Sequence, residues 1–146
     1  MFYYNKHTNI LDWREFRSKL TTWPEDIETV AQIWAKAPII NNYLAYDDTH
    51  KWPDAWTLIN EAIYCDISVA LGMFYTLYYS NYSEKDNMRI EHYNIQSEHT
   101  TLNLVNLEDG KYMLNYHTGR SVNNNTLEGL PSPTYIITAK ELPIKN

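Results

Sequence analysis

Three observations predict an α+β fold with its helices first and an antiparallel sheet second. Up to residue 71 the apolar residues recur at helical spacing. After the central stretch they alternate at the period of a strand. Between the two, residues 52–80 (WPDAWTLINEAIYCDISVALGMFYTLYYS) carry apolar side chains on two faces rather than one. A helix of that kind must be covered by a sheet on one side and by other helices on the other. The expected architecture is N-terminal helices around a central buried helix, packed on an antiparallel sheet from the C-terminal half. At 146 residues the chain is expected to form a single α+β domain spanning 1–146, large enough to bury a core without disulfides.

The elements follow in order. Residues 2–4 (FYY) suit an edge strand or anchoring arm. In LDWREFRSKL, Asp12 and Glu15 have capping-box spacing, and Trp13, Phe16 and Leu20 share a helical face. A second helix is expected from Pro24, with Glu25 and Asp26 at its positive end and Ile27, Val30, Ala31 and Trp34 at helical spacing. It must stop before Pro38. PIINNYLAYDDTHKWP is then a connection long enough to suggest a role beyond tethering. The central helix is expected to run unbroken over 54–71, from an Asp54 N-cap to a left-handed cap at Gly72. Leu58, Ala62, Cys65 and Val69 line one face; Trp56, Ile59, Ile63, Ile67 and Ala70 line the other. Asp66, between them, reads as a buried carboxylate with a partner elsewhere in the fold.

Strands are expected at Met73–Ser80, Met88–Gln96, Thr100–Leu107, Lys111–His117 and Thr134–Ala139. NYSEKDN links the first two, and Glu108-Asp109-Gly110 makes a three-residue hairpin turn with Gly110 left-handed. TGRSVNNNTLEGLPSP reads as a polar loop. In regular pairing Leu102, Leu104, Tyr112, Leu114 and Tyr116 form the face toward the core. His99, Asn103, Asn115 and His117 then share the opposite face.

Composition excludes several functions. A net charge of −6 without a basic cluster argues against nucleic acid. MFYYNKHTNI lacks the basic-then-apolar pattern of a signal peptide, and no run approaches a membrane span, so neither secretion nor a membrane is expected. Four glycines without a phosphate loop, and five scattered histidines, leave no expected cofactor or metal. Asp47, Asp48 and His50 are hard ligands in type, but DDTH is also ordinary turn chemistry. His92 and His99 flank a turn and read as solvated.

The order of elements carries a resemblance. A cysteine-bearing helix ending in Leu71-Gly72, a strand, a strand led by His99, then Asp109-Gly110-Lys111 and another strand resemble the transglutaminase-like (papain-like) core over residues 54–118. That family uses a Cys, a His and an Asp or Asn as a triad. Carried over by order, the resemblance implies Cys65, His99 and Asn115 and a cysteine hydrolase or acyltransferase. The residues themselves read differently. In a helix begun at Ala55, Cys65 lies about three turns in, beyond the reach of the terminal dipole. On regular strand faces the sheet separates it from His99. The expectation is an inert core cysteine.

A second resemblance lies in AQIWAKAPIINNYL and residues 52–80, which are similar to small proteins of T4-like tailed bacteriophages. It implies a non-enzymatic virion component, made in the host cytoplasm and held against virion proteins or copies of itself. The 13 Tyr and 5 Trp suit such interfaces. Tyr3, Tyr4, Trp23 and Trp52 are the expected anchors, with Asn123, Asn124 and Asn125 at the polar rim.

Overall fold

The computed structural model describes residues 1–2, 8–40 and 43–144. Among these residues four α-helices precede the sheet: α1 (Asn9–Ser18), α2 (Glu25–Trp34), α3 (Ala55–Glu61) and α4 (Asp66–Tyr78). Five strands follow: β1 (Arg89–Ile95), β2 (Thr100–Leu107), β3 (Tyr112–His117), β4 (Arg120–Val122) and β5 (Tyr135–Thr138). Their order is β4-β3-β2-β1-β5, every neighbouring pair antiparallel. The α+β class is as the sequence predicts.

The central element departs from expectation. The segment 54–71 is two helices, not one. Asp54 caps α3, accepting from the Thr57 amide at 2.8 Å. The helix then ends at Ala62, whose φ of 54° is left-handed. That conformation costs an L-residue about 1–2 kcal/mol, and neither glycine nor asparagine marks the break. Tyr64 makes a parallel bridge with Ile39, and its carbonyl accepts from the Ile40 amide. α4 starts immediately afterwards. It runs on through residues 73–78, where a strand was expected, so Gly72 is mid-helix and not a cap.

Gly72 is required by close approach. A Cβ there would sit 2.1 Å from Trp34 Cη2. α4 is the buried helix, with Ile67 through Leu77 all inside. α2 and α3 pack against it from one side and β1, β2 and β3 from the other. Leu58, Ala62, Cys65 and Val69 are all buried, so the apolar face is as expected although its continuity is not.

The faces of β2 are reversed relative to the sequence reading, while Tyr112 and Leu114 of β3 keep the expected side. Ile90, Val105, Leu107, Leu114 and Ile137 join the main core beneath α4. Leu104 instead joins Tyr93, Met113 and Leu127 in a smaller cluster. Both faces of β2 are apolar, so alternation alone could not choose between them. The segment expected as a polar loop contributes β4, and Asn123 caps the 3-10 turn Asn124–Leu127 by accepting from the Thr126 amide.

Of the expected interface anchors, Trp52 alone is buried among the described residues. It donates Nε1–H to the Ala45 carbonyl at 2.8 Å. Trp23 is half-buried against Tyr82 and bonded to Asn81 Oδ1. Asn123, Asn124 and Asn125 are exposed. Tyr3 and Tyr4 lie outside the described residues. Among the described residues no helix is long and apolar enough to cross a membrane.

Candidate active site

The break before α4 turns Cys65 from a mid-helix residue into the N-cap of α4. Its own amide donates to Ser68 Oγ at 2.6 Å, and the Ser68 amide faces the sulfur, so the two residues cap the helix reciprocally. The connection 38–54 lies over the same spot. The amides of Tyr43 and Leu44 are also directed at the Cys65 sulfur, and Tyr43 Oη donates to the Ile63 carbonyl at 2.9 Å. Burial by itself pushes the thiol pKa up. The Tyr43, Ser68 and Leu44 amides and the Ser68 hydroxyl together outweigh it and leave the thiol below its ordinary value. The thiol is therefore easier to ionise than an ordinary one, where the sequence predicted an inert sulfur.

Next to the sulfur, Asp66 gathers the polar residues of the sheet. Asn103 Nδ2 donates to Asp66 Oδ2 at 2.7 Å, and Asn115 Nδ2 to Asp66 Oδ1 at 3.2 Å. Asn115 also donates to the Asn103 carbonyl at 2.9 Å. Asn115 has φ of 72°, at a register irregularity between Met113 and His117. This bulge turns its side chain to the α4 side, and asparagine tolerates the left-handed backbone it demands. Asn103 is on the α4 side by simple alternation with Val105 and Leu107. Asp66 thus has the partners that its place between two apolar faces called for.

The chain of contacts ends at a histidine. His92 Nδ1 lies 2.6 Å from Asn103 Oδ1, the two residues facing each other across the β1–β2 ladder. Its ring is buried and stacked on Tyr46, with centroids 4.0 Å apart and planes 7° apart. His92 is therefore not the solvated turn residue expected. His99 is exposed and left-handed at the turn into β2. Of the three residues carried over by order, the structure brings Cys65 and Asn115 to one site, and His92 on β1 is the imidazole joined to it. Among the described residues no imidazole nitrogen is hydrogen-bonded to the sulfur.

Sequence reasoning missed His92, Asn103 and the amides of Tyr43 and Leu44. The available signal was polar residues at inward-facing strand positions, beside Ile90 on β1 and Val105 on β2. Asp48 is committed to His50 and Lys51, at 3.0 and 3.3 Å.

Tyr43 and Leu44 also line a cleft of about 520 Å³ with Asp48, Lys51, Trp52 and Thr57, so a ligand there would lie against the peptide that covers the sulfur. A second cavity, of about 920 Å³, lies between Leu102, Tyr116 and residues 126–132, and Cys65, Tyr43 and Leu44 are not among the residues that line it.

No protein-family model matches the chain, and no curated protein matches its sequence. Solved structures do. LapG of Legionella pneumophila superposes with a TM-score of 0.71 at 16% identity, covering 90% of this chain and 75% of LapG. Calcium-bound LapG gives 0.73 at 13% identity, covering 94% and 78%. EGTA-treated LapG gives 0.70 at 16%, covering 90% and 73%. At such identity the likeness establishes fold, and that fold is transglutaminase-like. This overturns the expectation of a non-enzymatic virion component, since the fold is the one the alternative reading named. The phage resemblance gains no support. Among the described residues no three His, Cys, Asp or Glu side chains converge. That does not fit a carboxylate-rich calcium shell.

Proposed function

We propose that this protein is a cysteine-dependent hydrolase or acyltransferase with Cys65 as its nucleophile. The observation that carries the reading is the position of the sulfur at the start of α4, faced by three peptide amides that favour the thiolate. The transglutaminase-like fold supports it, since that family acts through a Cys at a helix start. The thiolate attacks the carbonyl carbon of an amide or ester, forming a C–S bond. The C–N or C–O bond then breaks, and the leaving group takes a proton from an imidazolium, for which His92 is the candidate. Water or an amine attacks the thioester, returns a proton to the imidazole and releases the thiolate.

The test is reaction of the native protein with iodoacetamide across pH, and with activated esters and peptide amides, followed by mass spectrometry of the Cys65 peptide. The expected results are an alkylation midpoint below the ordinary thiol value of 9.0 and an acyl adduct on Cys65 that Cys65→Ser abolishes. A sulfur that reacts only when the protein unfolds, with no adduct from any acyl donor, overturns the reading.

A further inference from the structure

We infer that Asp66, acting through Asn103, sets the tautomer of His92 and so leaves its Nε2 as the proton acceptor of the site. The inference deepens the proposed thiol chemistry and rests on it for its catalytic meaning, although the tautomer itself is measurable without any reaction. A carboxylate only accepts hydrogen bonds, so the Asn103 group 2.7 Å from Asp66 Oδ2 must be the amide nitrogen. The Asn103 carbonyl oxygen then faces His92. A carbonyl oxygen also only accepts, so Nδ1, 2.6 Å away, must carry a proton. A neutral imidazole has one N–H, and with it on Nδ1 the lone pair is on Nε2. Among the described residues Nε2 has no hydrogen-bond partner.

The relay is held from several sides. Asn115 engages the other Asp66 oxygen at 3.2 Å and the Asn103 backbone carbonyl at 2.9 Å, so Asp66 cannot turn away without losing it. Tyr46 stacks on the imidazole face and meets Tyr135 edge-on at 5.1 Å. The Thr134 amide donates to the His92 carbonyl at 2.7 Å. Asp66 directly follows Cys65, so the helix start that favours the thiolate also orients the imidazole. Asp66 and Asn103 are positioning residues. The proton moves at His92 alone: Nε2 takes one as the thiolate forms and gives it to the leaving group, while Nδ1–H stays on Asn103.

The test is a long-range proton–nitrogen NMR spectrum of the full chain labelled with ¹⁵N-histidine, recorded on the neutral imidazole. The expected result is a His92 ring with Nδ1 protonated and Nε2 unprotonated. Asp66→Asn presents an N–H toward the asparagines, and Asn103→Leu removes the relay; each is expected to abolish the Nδ1–H preference. With the wrong tautomer, acyl transfer is expected to fall by about 10²–10⁴-fold, as for a misdirected imidazole in a hydrolytic triad. A wild-type ring protonated on Nε2, or one whose tautomer ignores both substitutions in folded variants, overturns the inference. If the tautomer is as expected but Cys65 forms no adduct, the relay stands and the proposed activity fails. A reactive Cys65 beside an Nε2–H ring leaves the activity standing and overturns the relay.

Discussion

Thr76 shows how closely single atoms are used in this core. Its hydroxyl oxygen accepts from the indole N–H of both Trp13 and Trp34, each at 3.0 Å, and donates to the Gly72 carbonyl at 2.7 Å. All three side chains are buried. Thr76→Val keeps the shape and removes the oxygen, leaving two buried donors unpaired. Each such donor costs about 1–3 kcal/mol, so a loss of about 2–6 kcal/mol is expected in the urea unfolding free energy. A change within experimental error would mean that the indoles find other acceptors. Cys65 belongs to the same scale with the opposite consequence. Its thiol pKa is lowered in the folded state, so the stability it adds is present above the unfolded thiol value and disappears as pH falls through the folded one. Comparing Cys65→Ala with the parent across that range should therefore reveal a difference that grows toward alkaline pH.

At the scale of elements, the decisive event is the division of one apolar stretch into α3 and α4. A continuous helix would bury Cys65 beyond the reach of any terminus. The left-handed turn at Ala62 and the Ile39–Tyr64 bridge place a new N-terminus at the sulfur instead. The second half is then locked by its packing on α2, where the Trp34 ring lies against the glycine backbone of α4. Gly72→Ala gains helix propensity of about 1 kcal/mol. It must also move a fully buried indole, and overpacking of this kind costs about 1–3 kcal/mol or more. Net destabilisation is expected, read as a lower denaturant midpoint, with loss of Cys65 reactivity if α4 shifts. An alanine variant as stable as the parent would show that Trp34 can retreat.

Across the whole molecule, part of the aromatic surplus goes into the core, while Tyr43, Tyr116 and Tyr135 stay exposed. Trp13, Trp34 and Trp52 are buried, and so are Tyr64, Tyr75, Tyr82 and Tyr93. Burial raises the pKa of these four phenols well above the ordinary 10.0. The Tyr82–Glu108 and Tyr93–Glu91 hydrogen bonds, at 2.7 and 2.6 Å, push the same way. The folded state therefore holds these protons where the unfolded chain releases them. Their stability contribution is complete below pH 10 and is lost as pH rises above it. Each phenol then costs about 1.4 kcal/mol for every pH unit. Denaturant midpoints should fall steeply between about pH 10 and about pH 11.5. A flat profile would mean that these phenols ionise within the fold.

Local pattern by itself determined the α+β class, α1, α2, the β2 boundaries and the left-handed Gly110 turn. Each rests on spacing or turn chemistry that neighbours in sequence supply. It also determined that Leu58, Ala62, Cys65 and Val69 face the core and that Asp66 needs a partner. Three things were decided only by tertiary structure. The break at Ala62 carries no glycine or proline and is held by pairing with residues 39–40, far away in sequence. The sheet face toward α4 was ambiguous because β2 is apolar on both sides and each side has its own cover. The imidazole of the site is on β1 rather than at the head of β2, because the ladder sets His92 opposite Asn103 and the bulge brings in Asn115. Hydrogen bonds among residues 66, 92, 103 and 115 leave no periodic trace in a sequence, so the cysteine was legible as a candidate while its chemistry was not.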